Sequence, residues 1–399
     1  MGSVETLSEE DGKQLLDLCR TGKLYAVEKW IADGRSLRAL AGRQKKKSPL
    51  DIVVEAGFHS LVELLSRNEP DQAVKNKALA GAVEKKRIDL VEALVAQGAE
   101  IRSVPLIDVL MTWEPQLIRH FLGNGADTIN GFPFAVAFAE RIRTALRPFV
   151  EYRQSHPELD SQLQQQVDQA LRYIAKENDL KWVSLMLWAG ANPRTPGPTL
   201  FEGHEDDPDW HTTAIEEACY NGNIEILKKF KISAATDDLG ELVGSALINR
   251  NADSLDYLLG LGGDLNNKPN GGSTAMDRCL GHIRLNTIDP FRGKTPILRH
   301  EITRMMEVIK KLAAAGARWR PDEDHMVYVR KELYRCEPRV TVEIVKVLAD
   351  KNAATKETLE ELLSVPKMRM HLASLGINLP IAQAPKVRQG RLTRSAKQA

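Results

Sequence analysis

An all-α solenoid of about ten helix-turn-helix repeats, carrying two or three insertions, is the fold this sequence predicts. Three observations predict it. An apolar pair suited to the buried face of a second helix recurs at Ala26-Val27, Leu61-Val62, Leu90-Val91, Leu117-Ile118, Trp182-Val183, Ile226-Leu227, Ser254-Leu255, Val308-Ile309, Ile344-Val345 and, in degenerate form, Met368-Arg369. Steps between pairs are 35, 29, 27, 65, 44, 28, 54, 36 and 24 residues, and five of the nine lie between 27 and 36. Glycine-containing stops follow in step at Gly98-Ala99, Gly125-Ala126, Gly190-Ala191, Gly262-Gly263, Gly316-Ala317 and Gly376-Ile377, where a helix needs a left-handed residue to end. A pair of short amphipathic helices cannot bury its apolar face alone, so a period near 30 marks stacked neighbours.

Taken in order, residues 1–10 form a lead whose Met1-Gly2-Ser3-Val4-Glu5-Thr6 fits a bare N-myristoylation pattern, without the basic charge that helps one acyl chain hold a membrane. Residues 11–130 hold repeats. Between the first two, Arg35, Arg38, Arg43, Lys45, Lys46 and Lys47 make a basic run with no acid. It reads as a solvated loop, a contact for an acidic partner protein, or an anion site for nucleic acid or a nuclear-import signal, and no aromatic residues interleave it for base stacking.

Residues 131–179 are expected to be an elongated atypical helical unit, with long helices from Pro133 to about Gln154 and Glu158 to about Lys176. Helix-periodic Val136, Phe138, Ile142, Leu146, Phe149 and Val150 support this. Residues 180–379 return to repeats, with insertions at 192–211 and 281–300. The first insertion carries Glu202, His204, Glu205, Asp206, Asp207, Asp209, Trp210 and His211. Two loop histidines seven apart fix no coordination geometry, so no metal is expected. Trp210 either contacts a partner or folds back on its loop. Thr212 to Leu227, TTAIEEACYNGNIEIL, is the clearest single unit. Trp319, flanked by Arg318 and Arg320 on a turn, has the composition of an interface hot spot. Residues 380–399, with Lys386, Arg388, Arg391, Arg394, Lys397 and no acid, read as a disordered basic tail.

Composition narrows the function. Net charge is +1, so no global field draws nucleic acid or membrane, and 43% hydrophobic residues suffice for a continuous core in one extended domain. The most apolar run, Phe132 to Ala139, is too short to span a bilayer, and no transmembrane segment is expected. Four cysteines, Cys19, Cys219, Cys279 and Cys336, lie far apart, which suits small core residues in a reducing, cytoplasmic setting. No Walker loop, dinucleotide fingerprint, zincin, nucleophile-elbow or kinase motif is present, so no enzyme, cofactor or small-molecule substrate is expected.

Some units carry a family resemblance. Ser48-Pro49-Leu50-Asp51 with Gly57, Thr213-Ala214-Ile215-Glu216 with Gly222, and Gly272-Ser273-Thr274-Ala275-Met276-Asp277 resemble the G-x-T-P-L-H opening of ankyrin repeats. Leu90 to Ala99, LVEALVAQGA, resembles the family's second helix and stop. The ankyrin-like resemblance covers about Asp11 to Leu379, although no unit has the full T-P-L-H tetrapeptide. It implies a protein–protein interaction scaffold that holds a partner protein on a concave surface of finger turns and first helices. The positions implied are Arg20, Thr21, Glu55, Asp209, Trp210, Thr212, Tyr220 and Asn221, with Trp319 added for its composition. Two alternatives stand beside it. One is nucleic-acid or anionic-surface binding through residues 35–47 and the tail. The other is an inhibitor or immunity subunit of a toxin or enzyme complex. A hydrolase or transferase on Phe132 to Trp210, testable at His204 and His211, is a further alternative.

Overall fold

In the computed structural model, residues 9–37, 47–198, 200, 211–248, 252–262, 264–266, 273–281, 288–289, 293–294, 299–335 and 338–363 are described. Two compact units divide the chain, Met1–Ile215 and Glu216–Ala399. The first holds six helix pairs among its described residues. These are α1 (Glu9–Arg20) with α2 (Leu24–Ala32), α3 (Pro49–Ala56) with α4 (His59–Asn68), and α5 (Gln72–Glu84) with α6 (Ile88–Ala96). They continue with α7 (Leu106–Leu110) and α8 (Pro115–Gly123), α9 (Pro133–Ala139) and α10 (Leu146–Ser155), and α11 (Asp160–Lys176) and α12 (Leu180–Trp188). First helices α1, α3, α5, α7, α9 and α11 pack in chain order; α2, α4 and α6 follow suit in a second layer, as do α8 and α10. Each helix therefore buries its apolar stripe against near neighbours in sequence, which is the packing of a solenoid.

In the second unit the same rule holds. After α13 (Ala214–Asn221) at the junction come α14 (Ile224–Phe230), α15 (Leu239–Ile248), α16 (Ala252–Gly260), α17 (Ala275–Gly281), α18 (Arg299–Ala314), α19 (Glu323–Arg335), α20 (Pro338–Asp350) and α21 (Lys356–Leu362). Helices α15, α17 and α19 form one layer and α14, α16, α18 and α20 the other. No sheet was expected, yet the 281–300 insertion carries a minimal hairpin: β1 (Ile288–Asp289) pairs antiparallel with β2 (Gly293–Lys294). The lead residues 1–8, Met368-Arg369, Cys336 and the 380–399 tail lie outside the described residues. Among the described residues no helix is long and apolar enough to cross a membrane.

Local chemistry sets the repeat. Ser48 and Asp51 form a capping box: the Asp51 amide donates to Ser48 Oγ (3.0 Å) and the Ser48 amide to Asp51 Oδ2 (2.9 Å). Thr274 and Asp277 repeat it at 3.2 and 2.9 Å. The aspartates that stand fourth in these openings therefore satisfy the free amides of a helix start. Left-handed residues then break the first seven pairs: Gly22, Gly57, Lys86, Trp113, Arg141, Asn178 and Gly222 sit between first and second helices.

One expectation fails here. The helix expected from Pro133 to about Gln154 is two helices, because Arg141 adopts φ 64° and turns the chain so that Ile142 is fully buried. The Arg141 guanidinium donates to the Ala139 carbonyl and to Asp179 (3.2 Å), holding the turn. Residues 131–179 thus supply the pair α9/α10 and the long first helix α11 rather than an atypical brace. Phe149 lies between Leu117 and Trp182, so the step of 65 is two ordinary steps of 32 and 33.

The thiols of Cys19 and Cys219 are fully buried in first helices, just before the turn, and Cys279 is nearly so. Burial pushes the Cys19 thiol from 9.0 up to about 11, and pushes Cys219 higher still. Between pH 9 and 11 an unfolded chain ionises Cys19 while the folded chain keeps the proton. Stability that is intact below pH 9 is therefore lost as pH rises through this window, by up to about 1.4 kcal/mol per unit. Urea midpoints measured from pH 8.5 to 11 should fall less steeply in Cys19→Ala; identical slopes would refute this role for the thiol.

Candidate functional site

The first-helix layer of the first unit carries two contiguous grooves. One, about 590 Å³, lies between α1 and α3, walled by Lys13, Arg20, Lys47 and Glu55 over Leu16 and Ile52. A second of about 590 Å³ runs across α3, α5 and α7 and shares Lys47 and Glu55 with the first. Its floor is Val54, Ala78, Gly81, Val83 and Val104, and Met111 closes its end. Small residues at α5 make the floor low. Ion pairs brace the walls: Lys47 donates to Glu55 (2.7 Å) and Lys77 to Asp51 (2.6 Å). The Lys47 hydrogen bond and charge hold the Glu55 carboxyl below the usual range.

At the Met111 end the backbone itself is unusual. Met111 is 49% exposed and Trp113 is 45% exposed, and Trp113 occupies φ 64° in the slot that Gly22 and Gly57 fill elsewhere. A left-handed conformation costs an L-residue roughly 1–2 kcal/mol, and for a bulky side chain it is an outlier. The turn is over-determined. Buried Thr112 donates through Oγ1 to Val109 O (2.6 Å) and accepts from the Glu114 amide (3.2 Å). Strain kept by surrounding bonds, with a large aromatic left half in solvent, points from geometry to function. Phe132 shares the conformation and a similar exposure; neither it nor Trp113 lines a groove, but Trp113 stands two residues after Met111, which does.

The positions expected from sequence distribute unevenly. Arg20 and Glu55 line the grooves, and Thr21 is exposed beside them with its hydroxyl bonded to Asp17 O (2.8 Å). Tyr220, 38% exposed, and Asn221 belong to the second unit. Asp209 and Trp210 lie outside the described residues, as do Arg38, Arg43, Lys45, Lys46, His204 and the acids around it. Of the basic run, Arg35 is ion-paired to Asp11 and stacked 3.3 Å above the Trp30 ring, and Lys47 is paired to Glu55. Among the described residues no cluster of metal-ligating side chains is present.

Two expectations are corrected. Thr212 is not a finger-tip contact: it is 7% exposed, and its backbone bridges Gly197 through bonds of 3.0 and 3.1 Å. Trp319 is not a hot spot either, since its indole is 1% exposed. The Trp319 amide donates to Ala353 O (2.6 Å) and Arg318 donates to Asn352 O (2.6 Å), so the following turn covers this one. The base of the 192–211 insertion is likewise built. Along one face of α11, Gln164 donates to Gly190 O (2.9 Å), Asp168 accepts from the Asn192 amide (2.6 Å), and buried Arg172 donates to Thr195 O (3.0 Å) and Pro198 O (3.1 Å). Met111 and Trp113 were missed by sequence reasoning. The signal that could have found them is a tryptophan in the turn slot that Gly22, Gly57, Lys86, Arg141, Asn178 and Gly222 fill in other pairs.

No protein-family model matches the chain, and no curated protein matches it. Among solved structures the chain is similar to the human ASB11 ankyrin repeat domain, at 14% identity and a TM-score of 0.24, over 66% of this chain and 90% of that one. A likeness at that TM-score carries no argument, and the functional reading rests on the geometry above.

Proposed function

We propose that this protein is a non-catalytic interaction scaffold that captures a partner protein on the first-helix face of its first unit. The observation that carries the reading is Trp113, half exposed on a strained and bonded turn two residues after Met111, which lines the second groove. Aromatic and methionine side chains dominate interface energetics, and a pre-ordered turn loses little entropy on binding. The ankyrin-like register of the sequence agrees with this use of the first helices. A nucleic-acid reading has less support, because Arg35 and Lys47 already share their charge with Asp11 and Glu55.

Affinity capture from a lysate, with retained proteins identified and then purified, supplies the test. Truncating Met111 and Trp113 together to alanine should weaken capture of the identified partner by about 2 kcal/mol or more, roughly thirtyfold, with helical circular dichroism unchanged. Trp210→Ala and Tyr220→Ala serve as parallel arms. Loss of capture in those variants alone would place the docking face elsewhere and refute the proposal for the first unit.

A further inference from the structure

The charge pattern of the two grooves says what kind of segment they hold, an inference that rests on the docking face proposed above. In the α1–α3 groove Lys47 is paired to Glu55, which leaves the bases Lys13 and Arg20 with no further acid in the lining. The second groove reverses the balance. Once Lys47 is assigned to Glu55 and Lys77 to Asp51, one base, Lys85, remains against Glu84 and Asp108 over the apolar floor. Acid is therefore attracted at the α1 end and disfavoured at the Met111 end, where Glu84 and Asp108 outnumber Lys85 over the apolar floor. Such opposed potentials fix register and suppress wrong partners.

We infer that the occupant is an extended, acidic segment of a partner protein that seats a carboxylate beside Arg20 and a large apolar side chain against Met111 and Trp113. Successive packed helices lie about 8–10 Å apart. From the α1–α3 groove to α7 is thus on the order of 20–25 Å, which an extended chain covers in about six to eight residues at ~3.3 Å each. Asp or Glu about six to eight positions from Leu, Phe or Trp is the pattern this surface fits.

A randomised twelve-residue peptide library selected on the full-length chain tests this, with the selected peptides then measured by fluorescence anisotropy. Enrichment of that acid-to-apolar spacing is expected. Arg20→Glu, an exposed substitution checked by circular dichroism, should weaken these peptides by roughly tenfold. A Glu→Lys change in the peptide should restore binding to that variant. Peptides that require Met111 and Trp113 yet show no acidic preference and ignore Arg20→Glu would overturn the inference while leaving the docking face intact. Basic peptides would overturn it in the same way. Peptides indifferent to Met111 and Trp113, or no selected peptide at all, would overturn both.

Discussion

Replacing Phe149 with alanine is expected to destabilise the first unit by about 3–5 kcal/mol. The side chain is fully buried, its ring 4.9 Å from that of Phe134 and 5.2 Å from that of Phe138, both edge-on. Such pairs add to the value of the apolar area they bury, and a close-packed core relaxes only in part around the vacated ring. Phe149 is on α10 and its partners are on α9, so the loss falls on a pair joined by the Arg141 turn. Because neighbours carry each repeat, α11 should feel it next. Urea unfolding combined with hydrogen exchange of α9 and α11 amides measures the loss. A change below about 1 kcal/mol would mean that α10 does not share this core.

The second large effect is expected at Gln166. Its side chain is fully buried on α11, accepting from the Phe134 amide (2.9 Å) and donating to Thr128 O (2.7 Å). It thus fastens the connection between α8 and α9, where Phe132 turns left-handed. Gln166→Leu keeps the volume but strands one buried donor and one buried acceptor. Each orphan costs roughly 1–3 kcal/mol, so a loss of about 2–6 kcal/mol is expected. The same denaturation series checks it. Phe134 amide exchange should rise by far more than exchange in α3 or α5; a uniform rise would argue against a local clamp.

How much of this was legible in the residues follows from which signals glycine carried. Gly57, Gly125 and Gly190 announce their stops because only glycine takes a left-handed turn without strain, and the helices around them fall where the apolar period places them. Arg141 and Trp113 take the same conformation with no such advertisement. At Arg141 the apolar stripe from Val136 to Val150 continues through the turn, because α9 and α10 both bury residues in one core. Periodicity alone then reads one long helix. Trp319 differs in another way: its composition is that of an exposed interface turn, whereas the turn at Asn352 and Ala353 covers it. Burial of a turn depends on the unit that follows, which local sequence does not encode. Arg20 and Glu55 were reachable by register, while Met111 and the groove floor required the packing of three helices.

The most direct test of the central claim is Trp113→Gly, measured by calorimetry for both folding and binding. Glycine relieves the left-handed strain and removes the indole. The docking account expects thermal stability within about 1 kcal/mol of the parent, while the identified partner is held roughly thirtyfold more weakly. Unchanged affinity, or a large loss of stability in its place, would show that the indole serves the fold and not the partner.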